Sequence, residues 1–346
     1  MHWISHQWKA MMLSRSLLFF KVIIMLTSKQ IFLYGLFFSC ITVLFWGMLP
    51  IALKLSSGFS DPITLTWLRF SVAGIILALW QWQRGKLGEF KRLSKKDWLR
   101  IAAAGTFLII NYTSFAWSLQ FLLPGSAQLS FQIAPLFLAL GGLIFLKETI
   151  HIKQWACFAL LGIGMMVFFH PVFSNNQGNT IWIGFAIVQM SALAWSLYAL
   201  LQKSLFTQLS PSNILLAIYG YALVVMLPFS SPAELTKMSF TDGMVAAFCC
   251  FNTLIAYGAF AQALRYWQTV QVSAAIALTP VTAFILTEVC VAWGVWPEII
   301  QSSHADMLSL LGMFLVIVSA ISVQFISASM QRKKNREILE QPLKVA

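Results

Sequence analysis

Two ionisable residues sit deep inside apolar runs: Arg69, in "PITLTWLRFSVAGIILALW", and Glu288, in "TPVTAFILTEVCVAWGVW". A charge in such a run is expensive and is by default a functional residue. A guanidinium presents a planar fork that matches a carboxylate, so Arg69 is a candidate to bind an anionic substrate. A glutamate in low dielectric can hold a proton, which makes Glu288 a candidate for proton coupling or for a gate. The two lie at comparable depth and are expected to pair. The competing reading is structural, with Arg69 snorkelling to the interface and Glu288 closing an ion pair.

Amides and rings form a second set. Gln128 and Gln132 are four apart, hence on one helical face, and Pro135 follows three residues later. Asn111 and Tyr112 share another run, as do Asn252 and Tyr257. A lipid-facing amide lacks partners, so these side chains are expected to face the interior of a bundle. Trp46 and Trp195 are candidates to wall the same cavity. No other chemistry is indicated. The five cysteines and five histidines have no metal-ligand spacing, no phosphate-binding G-x-x-x-x-G-K-[ST] loop is present, and the eleven acids are scattered. That scatter argues against an intramembrane transferase, which needs clustered acids or a His/Asp pair; "HAD" at His304–Asp306 reads as solvated loop.

The elements that position these residues are membrane-length. The 346 residues are 59% hydrophobic and 10% charged, with mean hydropathy +0.78, too little charge for a soluble surface. Expected spans run over 31–53, 63–82, 99–119, 122–146, 152–170, 181–202, 212–230, 244–264, 269–295 and 307–329. The net charge of +12 sorts by side. All of the 23 Lys and Arg except Lys54, Arg69 and Lys237 fall in the tails or in the connections that an even span count places with them. That bias puts both termini in the cytoplasm, and the basicity against lipid headgroups rather than nucleic acid. Residues 1–30, "MMLSRSLLFFKVIIML" included, read either as an interfacial helix or as an extension upstream of a start at Met25. Residues 330–346 read as a basic tail.

The chain repeats itself. At an offset of 149, Leu44, Trp46, Lys54 and Pro62 fall on Leu193, Trp195, Lys203 and Pro211. At 145, Ile110, Tyr112, Phe115, Ala116, Leu119 and Pro135 fall on Ile255, Tyr257, Phe260, Ala261, Leu264 and Pro280. Residues 31–170 and 181–329 are thus two five-helix repeats joined by 171–180, and five being odd, they are inverted. Pro135 and Pro280 are expected to kink the fourth and ninth spans, freeing the carbonyls of Phe131 and Ile276 at a depth where only a cavity or protein can satisfy them.

The order of these segments resembles the EamA-type drug/metabolite transporters. It is carried by "FWGMLPIALK", "DPITLTWLRF", a basic loop ending "KKDWLR", and "SAQLSFQIAPLFLALGGLIFLKE" followed by "QWACFALLGIGMMVFF", over about residues 35–329. The resemblance implies an all-α integral membrane protein of ten helices in two inverted repeats around a central cavity. It implies a secondary transporter of small metabolites, often an exporter, in a bacterial inner membrane. One departure stands out: Glu148 lies thirteen residues after Pro135, whereas the same place in the second half is Trp293. The resemblance raises Glu148 to a candidate for the inner gate. The expected cargo is an amino acid or another carboxylate, with an amphipathic drug or amine as the alternative. No cofactor is expected beyond possible proton coupling, and the expected partners are the small-molecule substrate and membrane lipids. Oligomeric state is not legible.

Overall fold

The computed structural model describes residues 28–340 apart from 119–120, 122–126, 128–129, 169, 171–179, 298–299 and 301–305. The N-terminal extension, the inter-repeat linker and Gln128 therefore lie outside the described residues. Among those described, the regular structure is helical: α1 (Ser28–Ser56), α2 (Pro62–Gln83), α3 (Lys95–Ser118), α4 (Ala134–Phe145), α5 (Ile152–Phe168), α6 (Thr180–Ser204), α7 (Pro211–Met226), α8 (Phe240–Tyr266), α9 (Thr269–Ile276), α10 (Thr279–Ala292) and α11 (Met307–Glu340). Eight stretches are long and apolar enough to cross a membrane, α9 and α10 together forming one; α5 is shorter.

Local sequence sets the boundaries. Pro62 and Pro211 start α2 and α7, where a missing N–H costs nothing. Asp61 caps α2, its Oδ1 accepting from Ile63 N (2.8 Å) and Thr64 N (3.0 Å). Ser239 and Asp242 close a reciprocal capping box on α8. A short 3₁₀ segment follows α2 (Lys86–Arg92) and another precedes α8 (Pro232–Lys237), the same place in each half. On the first, Glu89 accepts from Ser210 N and Oγ and from Asn213, fastening that connection to the start of α7.

Packing exchanges the halves. α1 packs on α8 and α3 on α6, while α2 packs on α7 and α5 on α11. The α5–α11 seam is set by Gly164 and Gly312: a Cβ on Gly312 would overlap the Phe168 backbone.

Both prolines act as expected in position but differently in detail. Pro135 lies in the first turn of α4, directly after a 3₁₀ turn at Phe131–Ile133. Pro280 lies in the first turn of α10, three residues beyond Ala277, the C-cap of α9, and two beyond Leu278, the N-cap of α10. At each proline the α-helical bonding of the span is interrupted while the backbone stays right-handed helical. The Phe131 carbonyl is not left for a cavity, because the Ala134 N–H closes a 3₁₀ bond to it.

Gly312→Leu is expected to cost about 1–3 kcal/mol by overpacking, lowering the melting temperature in detergent. Gly162→Ala, with open space around its Cβ position, should stay within about 0.5 kcal/mol of wild type. Equal melting temperatures would show that the seam is not close-packed.

Candidate functional site

A cavity of about 550 Å³ occupies the middle of the bundle. It opens toward the α1–α2 connection, where Ser56, Ser60 and Asp61 line it, and reaches inward to Trp195, Ile276 and Thr279. Six of the predicted residues are on its wall: Trp46, Arg69, Asn111, Tyr112, Trp195 and Tyr257.

Arg69 dominates its chemistry. It is 1% exposed and seven residues into α2, about 10 Å along the axis at 1.5 Å per residue. Its Nε donates to Thr253 Oγ1 (2.8 Å) and an Nη to Tyr112 Oη (3.4 Å), with the guanidinium 4.7 Å from the centre of the Tyr112 ring. Among the described residues no carboxylate pairs with it and its remaining donors have no protein partner. The expected pairing with Glu288 is not formed. Glu288 lies on α10, off the cavity wall, because similar depth says nothing of which helical face a residue occupies.

Rings build the walls. Trp46 meets Trp195 edge-on (centroids 5.7 Å) and also Tyr257 and Phe260, both at 5.2 Å. Tyr112 and Tyr257, equivalent in the two halves, are 5.6 Å apart. Phe131 bridges Phe115 and Trp195. Such edge-to-face arrangements fix ring positions by the aromatic quadrupole.

The amides divide. Asn111 reaches the wall, but its Nδ2 is spent on Ser191 O (3.1 Å) and Ser191 Oγ (2.9 Å), a strut from α3 to α6. Asn252 does not reach the cavity. It is fully buried and donates to the Phe45 carbonyl on α1 at 2.5 Å, so the neighbouring helix's backbone, not a ligand, satisfies that donor. The side chains of Gln128, Gln132 and Pro135 lie outside the described residues. Thr253 and the ring of Phe131 were not singled out by sequence. Thr253's place beside Asn252 was the available signal.

At the far end from Asp61 the bundle is tied shut. Lys203 Nζ donates to Glu148 Oε1 (2.7 Å) and to the Trp267 carbonyl (3.0 Å). Glu148 Oε2 accepts from Thr269 N (2.9 Å) and Thr269 Oγ1 (2.5 Å), capping α9. The carboxylate is 11% and the ammonium 16% exposed, so water screens the pair little. Two features bring Glu148 there. Lys147 adopts a left-handed φ of 54° without being glycine, a strain of about 1–3 kcal/mol. Gly142 has no Cβ, which would overlap Thr269 Oγ1. Among the described residues no cluster of His, Cys, Asp and Glu could hold a metal.

Apolar helices around a hollow that carries one buried cation define an integral, multi-pass membrane protein of transporter architecture. The chain belongs to the EamA-like transporter family, whose model matches it twice, over residues 33–169 and 182–325. It is 29% identical over 292 residues to an Escherichia coli K12 protein named "Uncharacterized inner membrane transporter YhbE", covering 83% of this chain and 90% of that one. It is 30% identical over 298 residues to an "Uncharacterized transporter" of Haemophilus influenzae, covering 85% and 95%. A solved structure shares the fold with a TM-score of 0.65 at 16% identity, over 86% of this chain and 98% of that one.

Glu148→Gln and Lys203→Met should each lower the melting temperature, and the double variant should show coupling of roughly 0.5–3 kcal/mol. Strictly additive losses in the same melting series would mean that the pair contributes nothing of its own.

Proposed function

We propose that this chain is a secondary carrier of ten transmembrane helices in two inverted repeats, exporting small carboxylate-bearing metabolites across a bacterial inner membrane by alternating access. The observation that carries this reading is Arg69: a buried guanidinium, without a carboxylate partner among the described residues, on the wall of a hollow large enough for a metabolite. A structural arginine would be expected to have found a carboxylate or the interface. This one is held by a hydroxyl, a phenol and a ring, which orient it and leave its charge uncompensated.

Alternating access is supported by the exchange of packing partners between the halves and by the contrast between the two ends. One end is held by Glu148, Lys203 and Thr269. At the equivalent place after α10 stand Trp293 and Gly294, and Lys54, the repeat mate of Lys203, is exposed. The chain in this conformation is accessible from the Asp61 end, and the distribution of Lys and Arg supports reading that end as the outer one. An amine cargo is disfavoured, since its charge would face Arg69 at low dielectric.

Proteoliposomes tested with a pooled metabolite panel, with and without a pH gradient, should take up at least one carboxylate. Arg69→Gln should cut that uptake about ten- to a hundred-fold, as expected for losing a charge-assisted bond of about 1.5–3 kcal/mol, while its melting temperature shows that it folds. Arg69→Lys should fall between. A panel in which nothing moves while a control carrier works would sink the carrier reading.

A further inference from the structure

Resting on that carrier reading, we infer that the cargo is a monoanionic carboxylate with an aromatic or alkyl body and no ammonium group, and that each passage moves one net negative charge across the membrane.

The charges on the wall carry the inference. Arg69 is the buried cation there, and it has no counterpart in the other half: the offset that aligns Pro62 with Pro211 puts Ile218 at its place. One cation matches one carboxylate, and a second carboxylate on the cargo would lie among Trp46, Trp195, Phe115 and Phe131 with no positive partner. Asp61 is the acid on the wall, and it stands at the mouth, exposed, with Oδ1 occupied by the α2 cap. Eight helical residues separate it from Arg69, about 12 Å of rise. An α-amino acid carries its two charges on one carbon and its carboxyl neighbour, so it cannot reach both. Its ammonium would be desolvated beside a guanidinium of the same sign.

Among the described residues no other acid lines the cavity. Glu148 is held by Lys203 and Thr269, Glu89 by Ser210 and Asn213, and Asp97 by Ser94 and Arg100. Glu288 lies off the wall. Residues 119–130, which complete the fourth span, contain no acid in the sequence at all. The same inventory bears on energetics. With no carboxylate among the described residues of the inner wall to load a proton alongside the anion, the cargo crosses with its charge, and an inside-negative potential drives it outward. One charge gives a tenfold gradient for about every 59 mV.

Three solutes on one scaffold test this: 3-phenylpropionate, L-phenylalanine and phenethylamine share a ring and a two-carbon arm and differ in net charge. Proteoliposomes on a solid-supported membrane, with protein-free liposomes subtracted for leak of the neutral acid, should give a current of anionic sign with 3-phenylpropionate. Its reversal should shift by about 59 mV per tenfold gradient, and fluxes of the other two should be at least tenfold smaller. Arg69→Gln should abolish the current, with Arg69→Lys retaining part of it. Phenylalanine carried as fast as phenylpropionate, or phenylpropionate flux without current, would overturn the inference and leave the carrier standing. The inference falls in the same way if none of the three moves while another panel solute does. Only the absence of flux with every panel solute would strike the carrier reading itself.

Discussion

A guanidinium about 10 Å inside a membrane helix cannot be left against hydrocarbon, where it costs several kcal/mol on any scale. Much of the surrounding arrangement meets that constraint. The Asp61 cap and Pro62 fix where α2 begins, and so fix the depth of Arg69. Thr253 on α8 and Tyr112 on α3 take two of its donors, which ties three helices to one point. α8 is itself held to α1 by Asn252 and the Phe45 carbonyl. The hollow supplies what neutral partners cannot, namely room for water or an anion beside the charge. Closing the bundle over Arg69 would bury an uncompensated ion, so cavity and cation require one another.

The halves are alike in helix order and unlike at their ends. After α4 the chain makes a left-handed turn at Lys147, whose strain is offset by the bonds that Glu148 then makes to Lys203 and Thr269. After α10 two residues are left-handed, Gly294 at φ 64°, which bears it without penalty, and Trp296 at φ 51°, and Trp293 stands where the first half has Glu148. The two halves thus differ in the side chains at these turns while keeping the same order of helices.

What was legible in sequence was whatever depends on period and repetition. Trp46 and Trp195, or Tyr112 and Tyr257, occupy matching registers, and matching registers in two related halves converge on the axis between them. Arg69 was legible because a charge in an apolar run must be provided for. Azimuth was not legible. Glu288 lies off the wall that Arg69 lines, and the Nδ2 of Asn252 was taken by a carbonyl that any helix could have offered. The Glu148–Lys203 contact joins residues 55 apart. The sequence placed both at helix ends on one side of the membrane, but only packing brings them within a hydrogen bond.

The position of Pro280 gains its meaning from these contacts. Because the α-helical bonding of the span is interrupted there, α9 becomes a separate rod of eight residues with different surroundings at its two ends. Its first residue, Thr269, is bound by backbone and hydroxyl to Glu148. Its last, Ile276, lies on the cavity wall together with Thr279 beyond the break. α9 thus links the Glu148 contact at one end to the cavity wall at the other. A proline near mid-span, costly in an uninterrupted helix, is accommodated here at the break between α9 and α10.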